Sequence, residues 1–224
     1  MDVLIGCEYS GIVRDAFAAK GHNAWSCDLL ASERPGQHLQ CDIKEAIMSR
    51  SWDFIGLHLP CTKIALCGNK HYGKGMPKNK ERIEAMDWTG TVYELAKQFS
   101  YKGYFENPKN VMGAVIGKKT QTIQPYQFGH LEQKETWLWL WGLPKLVETN
   151  NVYDEMMKLP KQERERIFHM TPSADRGHER SRTYTGIALA MAEQWGQNAI
   201  SYPDNQLRPV YTDTKQLLTS LPKP

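Results

Sequence analysis

Five short apolar runs, each closed by an acid or a cysteine, constrain this chain more than any other feature. Residues 3–7 run into Glu8, 24–27 into Asp28, 38–41 into Asp42, 53–58 into Pro60-Cys61, and 103–105 into Glu106. Helical spacing follows at 12–20, after Asp42, and at 80–99 through Ile83, Met86, Tyr93, Ala96 and Phe99. A late strand is predicted at 136–141 and a final amphipathic helix at 183–195. Strands alternating with helices specify an α/β protein with a mostly parallel sheet covered on both faces. In such sheets ligands sit beyond the carboxyl ends of the strands. The five strand-end residues therefore belong to one candidate site.

The remaining chain fits around that frame. At 224 residues, with 41% hydrophobic and 24% charged residues, one soluble catalytic domain over 1–197 is expected. The polar stretch 147–175 is a small helical insertion, and 198–224, with four prolines, an extended tail. No apolar run approaches the roughly 20 residues of a membrane span. Residues 1–6 have a strand's pattern rather than a leader's, which predicts a cytoplasmic protein with reduced cysteines. No cysteine pair has the close spacing of a zinc site, so no metal is expected. Trp137, Trp139 and Trp141 alternate and share one strand face, which suits packing against a helix better than base stacking.

A cysteine and a carboxyl at successive strand ends can attack a pyrimidine. Carbon-5 of cytosine is too weak a nucleophile until a thiolate adds to carbon-6. An acid near ring nitrogen-3 then meets the developing charge. Cys61 suits the first role and Glu106 the second, with a carboxyl pKa raised by desolvation. Asn107 and Pro108 would rigidify the turn after Glu106. The loop Cys7-Glu8-Tyr9-Ser10-Gly11 could bring backbone close to a cofactor. Asp28 could accept from ribose hydroxyls and Asp42 from an adenine amino group; alternatively both are ordinary turn aspartates. Residues 69–82 carry Lys70, Lys74, Lys78, Lys80 and Arg82 against Glu81, which predicts a mobile basic loop closing over phosphates, or else a solvated face.

In this order, these residues resemble the cytosine carbon-5 DNA methyltransferase family, in its short phage or prophage form. The resemblance implies a three-layer, Rossmann-like, S-adenosylmethionine-dependent methyltransferase fold. Pro60-Cys61 resembles the catalytic Pro-Cys, and Glu106-Asn107 the catalytic Glu-Asn. Glu8, Ser10 and Gly11 stand in the first cofactor loop, Asp28 at its ribose acid and Asp42 at its adenine acid. His58 and Pro60 would flank the cofactor. Residues 128–141, with Lys134 and Thr136 where two arginines are usual, resemble the motif that contacts the target. Residues 180–187 resemble the last motif, so Tyr184 and Gly186 would close the cofactor pocket, and Arg180, Arg182 and Lys134 would face nucleic acid. The family's recognition domain is reduced here to 147–175. That leaves room for a protein partner supplying target recognition, for an RNA or free-nucleotide substrate, or for a binding module without catalysis.

Overall fold

Each of the apolar runs forms a strand. In the computed structural model, which describes residues 1–173 and 176–197, the strands are β1 (Asp2–Gly6), β2 (Asn23–Asp28), β3 (His38–Gln40), β4 (Phe54–Leu57), β5 (Lys102–Pro108), β6 (Gln121–Ile123) and β7 (Thr136–Trp141). They make one seven-stranded sheet in the order β3-β2-β1-β4-β5-β7-β6. The first five are parallel, while β7 is antiparallel to both β5 and β6. The chain is thus α/β with a mixed, mostly parallel sheet, compatible with a Rossmann-like fold.

Period-two alternation divides the core into two layers. Val3, Ile5, Phe54, Tyr104 and Leu138 face one side, where α1 (Ile12–Ala19) and α10 (Thr185–Gly196) cover them through Phe17, Met191 and Trp195. Leu4, Ile55, Leu57, Phe105 and Trp139 face the other, under α2 (Ile43–Met48) and the long α4 (Asn79–Phe99). The tryptophans of β7 sit on this second side. Trp139 stacks on Phe105 at 5.2 Å and Trp141 meets Tyr93 of α4 edge-on at 5.5 Å. Trp137, at the outer end, instead takes Lys119 over its ring at 3.8 Å.

Three differences from the sequence expectation affect the site. β5 continues through Pro108, so Glu106, Asn107 and Pro108 are strand residues rather than a turn. β7 pairs with them, Glu106 opposite Leu138 and Pro108 opposite Thr136. The edge strand β6 was not expected, because Gln-Thr-Ile has no apolar run to announce it. Residues 69–82 are mostly helical rather than one open loop. They hold α3 (Asn69–Tyr72) and the start of α4, leaving only 73–78 between helices.

The shorter helices are α5 (Gly113–Ile116), then α6 (Tyr153–Met157), α7 (Lys161–Arg164) and α8 (Arg166–His169) in the stretch expected to be an insertion, and α9 (Arg176–Ser181). The expected tail at 198–224 lies outside the described residues, as do 174 and 175. Among the described residues no helix is long and apolar enough to cross a membrane.

Candidate active site

β1 has β2 on one side and β4 on the other, so the strand order reverses between β1 and β4. A crevice outside the strand ends is expected at that reversal. Cys7 leaves β1 at φ 56°, and Gly11 starts α1 at φ 69°. Glu8, 5% exposed, turns inward and caps α1, accepting from Val13 N at 2.6 Å, Arg14 N at 3.2 Å and Ser10 Oγ at 3.2 Å. Burial raises its pKa; His58 and these donors pull the other way. Glu8 and Ser10 therefore shape the loop rather than point a free carboxylate at a ligand.

Arg14 was not anticipated. It is 1% exposed and donates to Ser26 Oγ at 3.1 Å, Ser32 Oγ at 3.0 Å and the Pro35 carbonyl at 3.0 Å, which fastens the loop between β2 and β3 beside the crevice. Its guanidinium lies where a Cβ on Gly11 or Gly36 would project. A charged residue between Val13 and Phe17, on the inward stripe of α1, was the available signal.

Asp28 and Asp42 both reach strand ends, and both do local work as well. Asp28 Oδ1 accepts from Leu30 N at 3.0 Å, and Asp42 Oδ1 caps α2 by accepting from Lys44 N at 2.8 Å. Leu29 and Leu30, 71% and 49% exposed, form an apolar shelf beside Asp28. Two half-buried acids with one oxygen each engaged, next to that shelf, fit a nucleoside's hydroxyls and ring.

The turn at Cys61 and the end of β5 are stitched together. Asn107 Nδ2 donates to the Leu59 carbonyl at 2.9 Å, Leu66 N to Lys109 O at 3.0 Å, and Val111 N to Ile64 O at 3.1 Å. Pro60 is exposed and Cys61 half-buried at the head of this turn, whose first coil closes through Ala65 N on Cys61 O at 2.8 Å. Cys61 is near enough to Glu106 for the carboxylate's charge to act on its thiol. Burial and then the Glu106 carboxylate raise the Cys61 thiol's pKa, and Lys134 lowers it in part. Burial pushes the Glu106 carboxyl up, but the His58 hydrogen bond and charge and Lys134 together hold it below the ordinary carboxylate range. The raised carboxyl expected from the sequence is thus reversed, because burial there comes with donors.

His58, expected beside the cofactor, turns its ring between two β5 side chains. Nε2 is 2.7 Å from the Tyr104 hydroxyl and Nδ1 3.3 Å from Glu106 Oε2. Lys134, expected on nucleic acid, is half-buried and acts on both Glu106 and Cys61. Its Nζ donates to the Arg180 carbonyl at 2.8 Å, and burial lowers its pKa while Glu106 and Cys61 raise it. Its charge lowers the Cys61 thiol's pKa in part, whereas the lysines of the basic segment are exposed.

Of the other expected nucleic-acid contacts, Lys70, Lys74, Lys78 and Lys80 are exposed around the 73–78 connection. Arg82 is not with them. It turns inward to Lys63 O at 2.7 Å, Ala65 O at 3.0 Å and Asn69 Oδ1 at 2.6 Å, and so supports the turn after Cys61. Arg180 is half-buried, and Arg182 is held by Glu33 at 2.8 Å and Glu179 at 3.0 Å. Tyr184 donates to Glu132 Oε2 at 2.8 Å and Gly186 N to His130 Nε2 at 2.9 Å. These two bonds fix the start of α10 against the segment that leads to Lys134. No protein-family model matches the chain, and no curated protein matches it.

Proposed function

We propose that the protein is an S-adenosylmethionine-dependent enzyme that methylates carbon-5 of cytosine in DNA through a covalent Cys61 adduct. The observation that carries this reading is the meeting of Cys61, Glu106 and Lys134 at the carboxyl ends of two adjacent parallel strands, beside the strand-order reversal. The order 3-2-1-4-5 in the parallel part of the sheet supports a Rossmann-like methyltransferase fold. Asp28, Asp42 and the Leu29–Leu30 shelf would hold the cofactor's nucleoside. When bound, S-adenosylmethionine supplies the methyl group.

The chain's own residues handle the base. The Cys61 thiolate forms a bond to carbon-6, and the electron pair of the 5,6 double bond shifts through the ring toward nitrogen-3, where Glu106 delivers a proton. Carbon-5 then takes the methyl group. The carbon-5 hydrogen then leaves as a proton to water, its electron pair re-forms the 5,6 double bond, the sulfur–carbon pair departs with Cys61 as thiolate, and the nitrogen-3 proton returns to Glu106. At rest the pair is poised the other way, with the proton favoured on Cys61 and the charge on Glu106. A docked base that accepts at nitrogen-3 would draw the proton across, so thiol activation would wait for substrate.

The base must leave the duplex stack to reach Cys61, or come from a single strand. Three short helices between 153 and 169 stand where a recognition domain would be, which favours a partner-supplied target or an RNA or free-nucleotide substrate as the second reading. The test is an oligonucleotide carrying 5-fluorocytosine, with cofactor present. Fluorine blocks the final elimination, so an adduct at Cys61 is expected. Absence of an adduct on single-stranded DNA, duplex DNA and RNA alike would refute the reading.

A further inference from the structure

We propose that His58 is a positioning residue for Glu106, clamped by Tyr104 so that its Nδ1–H stays on the Glu106 carboxylate whether the imidazole is neutral or charged. The geometry stands by itself; the catalytic consequence rests on the cytosine reading above.

Register brings the three side chains together. Gly56 pairs with Tyr104 and Leu57 with Phe105 across β4 and β5. Continuing that register sets His58 opposite Glu106, on the same face as Tyr104. Gly56 is required for this, since a Cβ there would meet Tyr104 Cε1 at 2.6 Å and its hydroxyl oxygen at 2.7 Å. The Tyr104 ring is 0% exposed and wedged between Phe54 at 5.8 Å and Trp195 at 5.3 Å, which fixes the direction of its hydroxyl. His58 and Glu106 are 7% and 17% exposed, so water competes little with their contact.

The hydroxyl's dual character makes the clamp work. A phenol can donate or accept. With neutral imidazole, Tyr104 donates to Nε2 and Nδ1 carries the hydrogen toward Glu106. With imidazolium, Nε2–H donates to the Tyr104 oxygen and Nδ1–H is unchanged. Groups from every neighbouring element face this ring. Glu8 acts on it from the loop after β1, and Thr183 Oγ1 lies 3.4 Å from Nδ1 ahead of α10. Lys134 acts on Glu106 as well, and Glu106 in turn on Cys61. Held in this way, Oε2 of the Glu106 carboxylate stays on His58 Nδ1.

The test is a ¹³C NMR titration of the Glu106 carboxyl in the full chain, comparing wild type with His58→Gln and Tyr104→Phe. His58→Gln should shift the Glu106 midpoint upward, because a neutral amide replaces the charge and hydrogen bond that hold it down. Tyr104→Phe keeps the ring's packing but frees Nε2, and should shift it upward by less. Both variants should lower kcat and change its pH dependence while KM for the oligonucleotide stays put, which a merely structural histidine would not do. Identical Glu106 titrations in all three proteins would overturn the proposal. A shifted titration together with no wild-type adduct would keep the clamp and refute methyl transfer.

Discussion

Glu106→Gln should move turnover and thiol reactivity in opposite directions. Glutamine keeps the volume, and its amide oxygen can still accept from His58 Nδ1, whose ring is only 7% exposed. The fold therefore loses little. What disappears is the carboxylate that would relay a proton to nitrogen-3 and that puts negative charge beside Cys61. Loss of a preorganised group that stabilises transition-state charge costs about 10²–10³ in kcat, or about 2.7–4 kcal/mol. The thiol responds with the other sign. Apart from burial, the Glu106 carboxylate is the largest influence raising Cys61, and Lys134 opposes it. Glu106→Gln removes only the first, so the thiol's pKa falls and more thiolate is present at neutral pH. Each unit of fall gives about tenfold more thiolate, each about threefold less nucleophilic on a Brønsted slope near 0.4–0.5, for a net gain of about threefold per unit. Lys134→Met removes the opposing charge and should slow the same reaction. The assay is modification by an aromatic disulfide at pH 7, followed at the Cys61 peptide by mass spectrometry, with exposed Cys67 as the internal reference. A Cys61 that reacts no faster in Glu106→Gln than in wild type would refute the electrostatic account of the pair.

Other perturbations report on the scaffold. Arg14→Met, which leaves the buried Ser26 hydroxyl and the loop carbonyls without their charged donor, should cost about 2–4 kcal/mol in urea unfolding. Gly186→Ala drives a methyl group into the Phe128 carbonyl and should cost about 1–3 kcal/mol, whereas Gly177→Ala, with open space around it, should gain a few tenths on the same assay. Because the Glu106 pKa is depressed in the folded state, its contribution to stability is present above the unfolded value of about 4.3 and is lost as pH falls through the folded value. Glu106→Gln should remove that part of the acid-induced loss in stability measured by denaturant titration. Replacing Lys74, Lys78 and Lys80 by glutamate should weaken nucleic-acid binding. The slope of log affinity against log salt should fall by up to about 0.9 per lost phosphate contact on duplex and about 0.7 on single strands; an unchanged slope would exclude these lysines from the interface.

The parallel half of the sheet was legible because each of its strands is an apolar run with its own stop. Asp28, Asp42 and Cys61 fall at or just beyond strand ends as the pattern required. β6 and the extension of β5 were not legible for one reason: both exist through pairing with β7. Nothing local marks Gln121–Ile123 as a strand, and Glu106-Asn107-Pro108 has the composition of a turn. Only the antiparallel partner, Thr136 to Leu138, supplies the ladder that extends them. The small helices of 153–169 were likewise expected only as an excursion, since none is long enough to carry a helical period.

The placement of Cys61 and Glu106 at neighbouring strand ends was therefore easier to see than their ionisation. Proximity of Cys61 and Glu106 follows from adjacent strands of similar length, and sequence order suffices for that. Ionisation depends on what else is buried with them. Glu106 is pulled down because His58 sits two residues past Gly56 and Glu106 two past Tyr104, in strands that pair Gly56 with Tyr104. Lys134 arrives from a segment folded back by β7 and fixed by the carbonyl of Arg180. Neither donor could be weighed before the register and the return of the chain were known. A carboxyl that looks desolvated in sequence can be the better-solvated partner in structure, its solvent being an imidazole and an ammonium rather than water. Cys61 receives less of that solvation and keeps its proton. The same arrangement that keeps the half-buried Cys61 protonated at rest leaves, on the proposed reading, a route from thiol to carboxylate to base by which a bound pyrimidine would generate the thiolate.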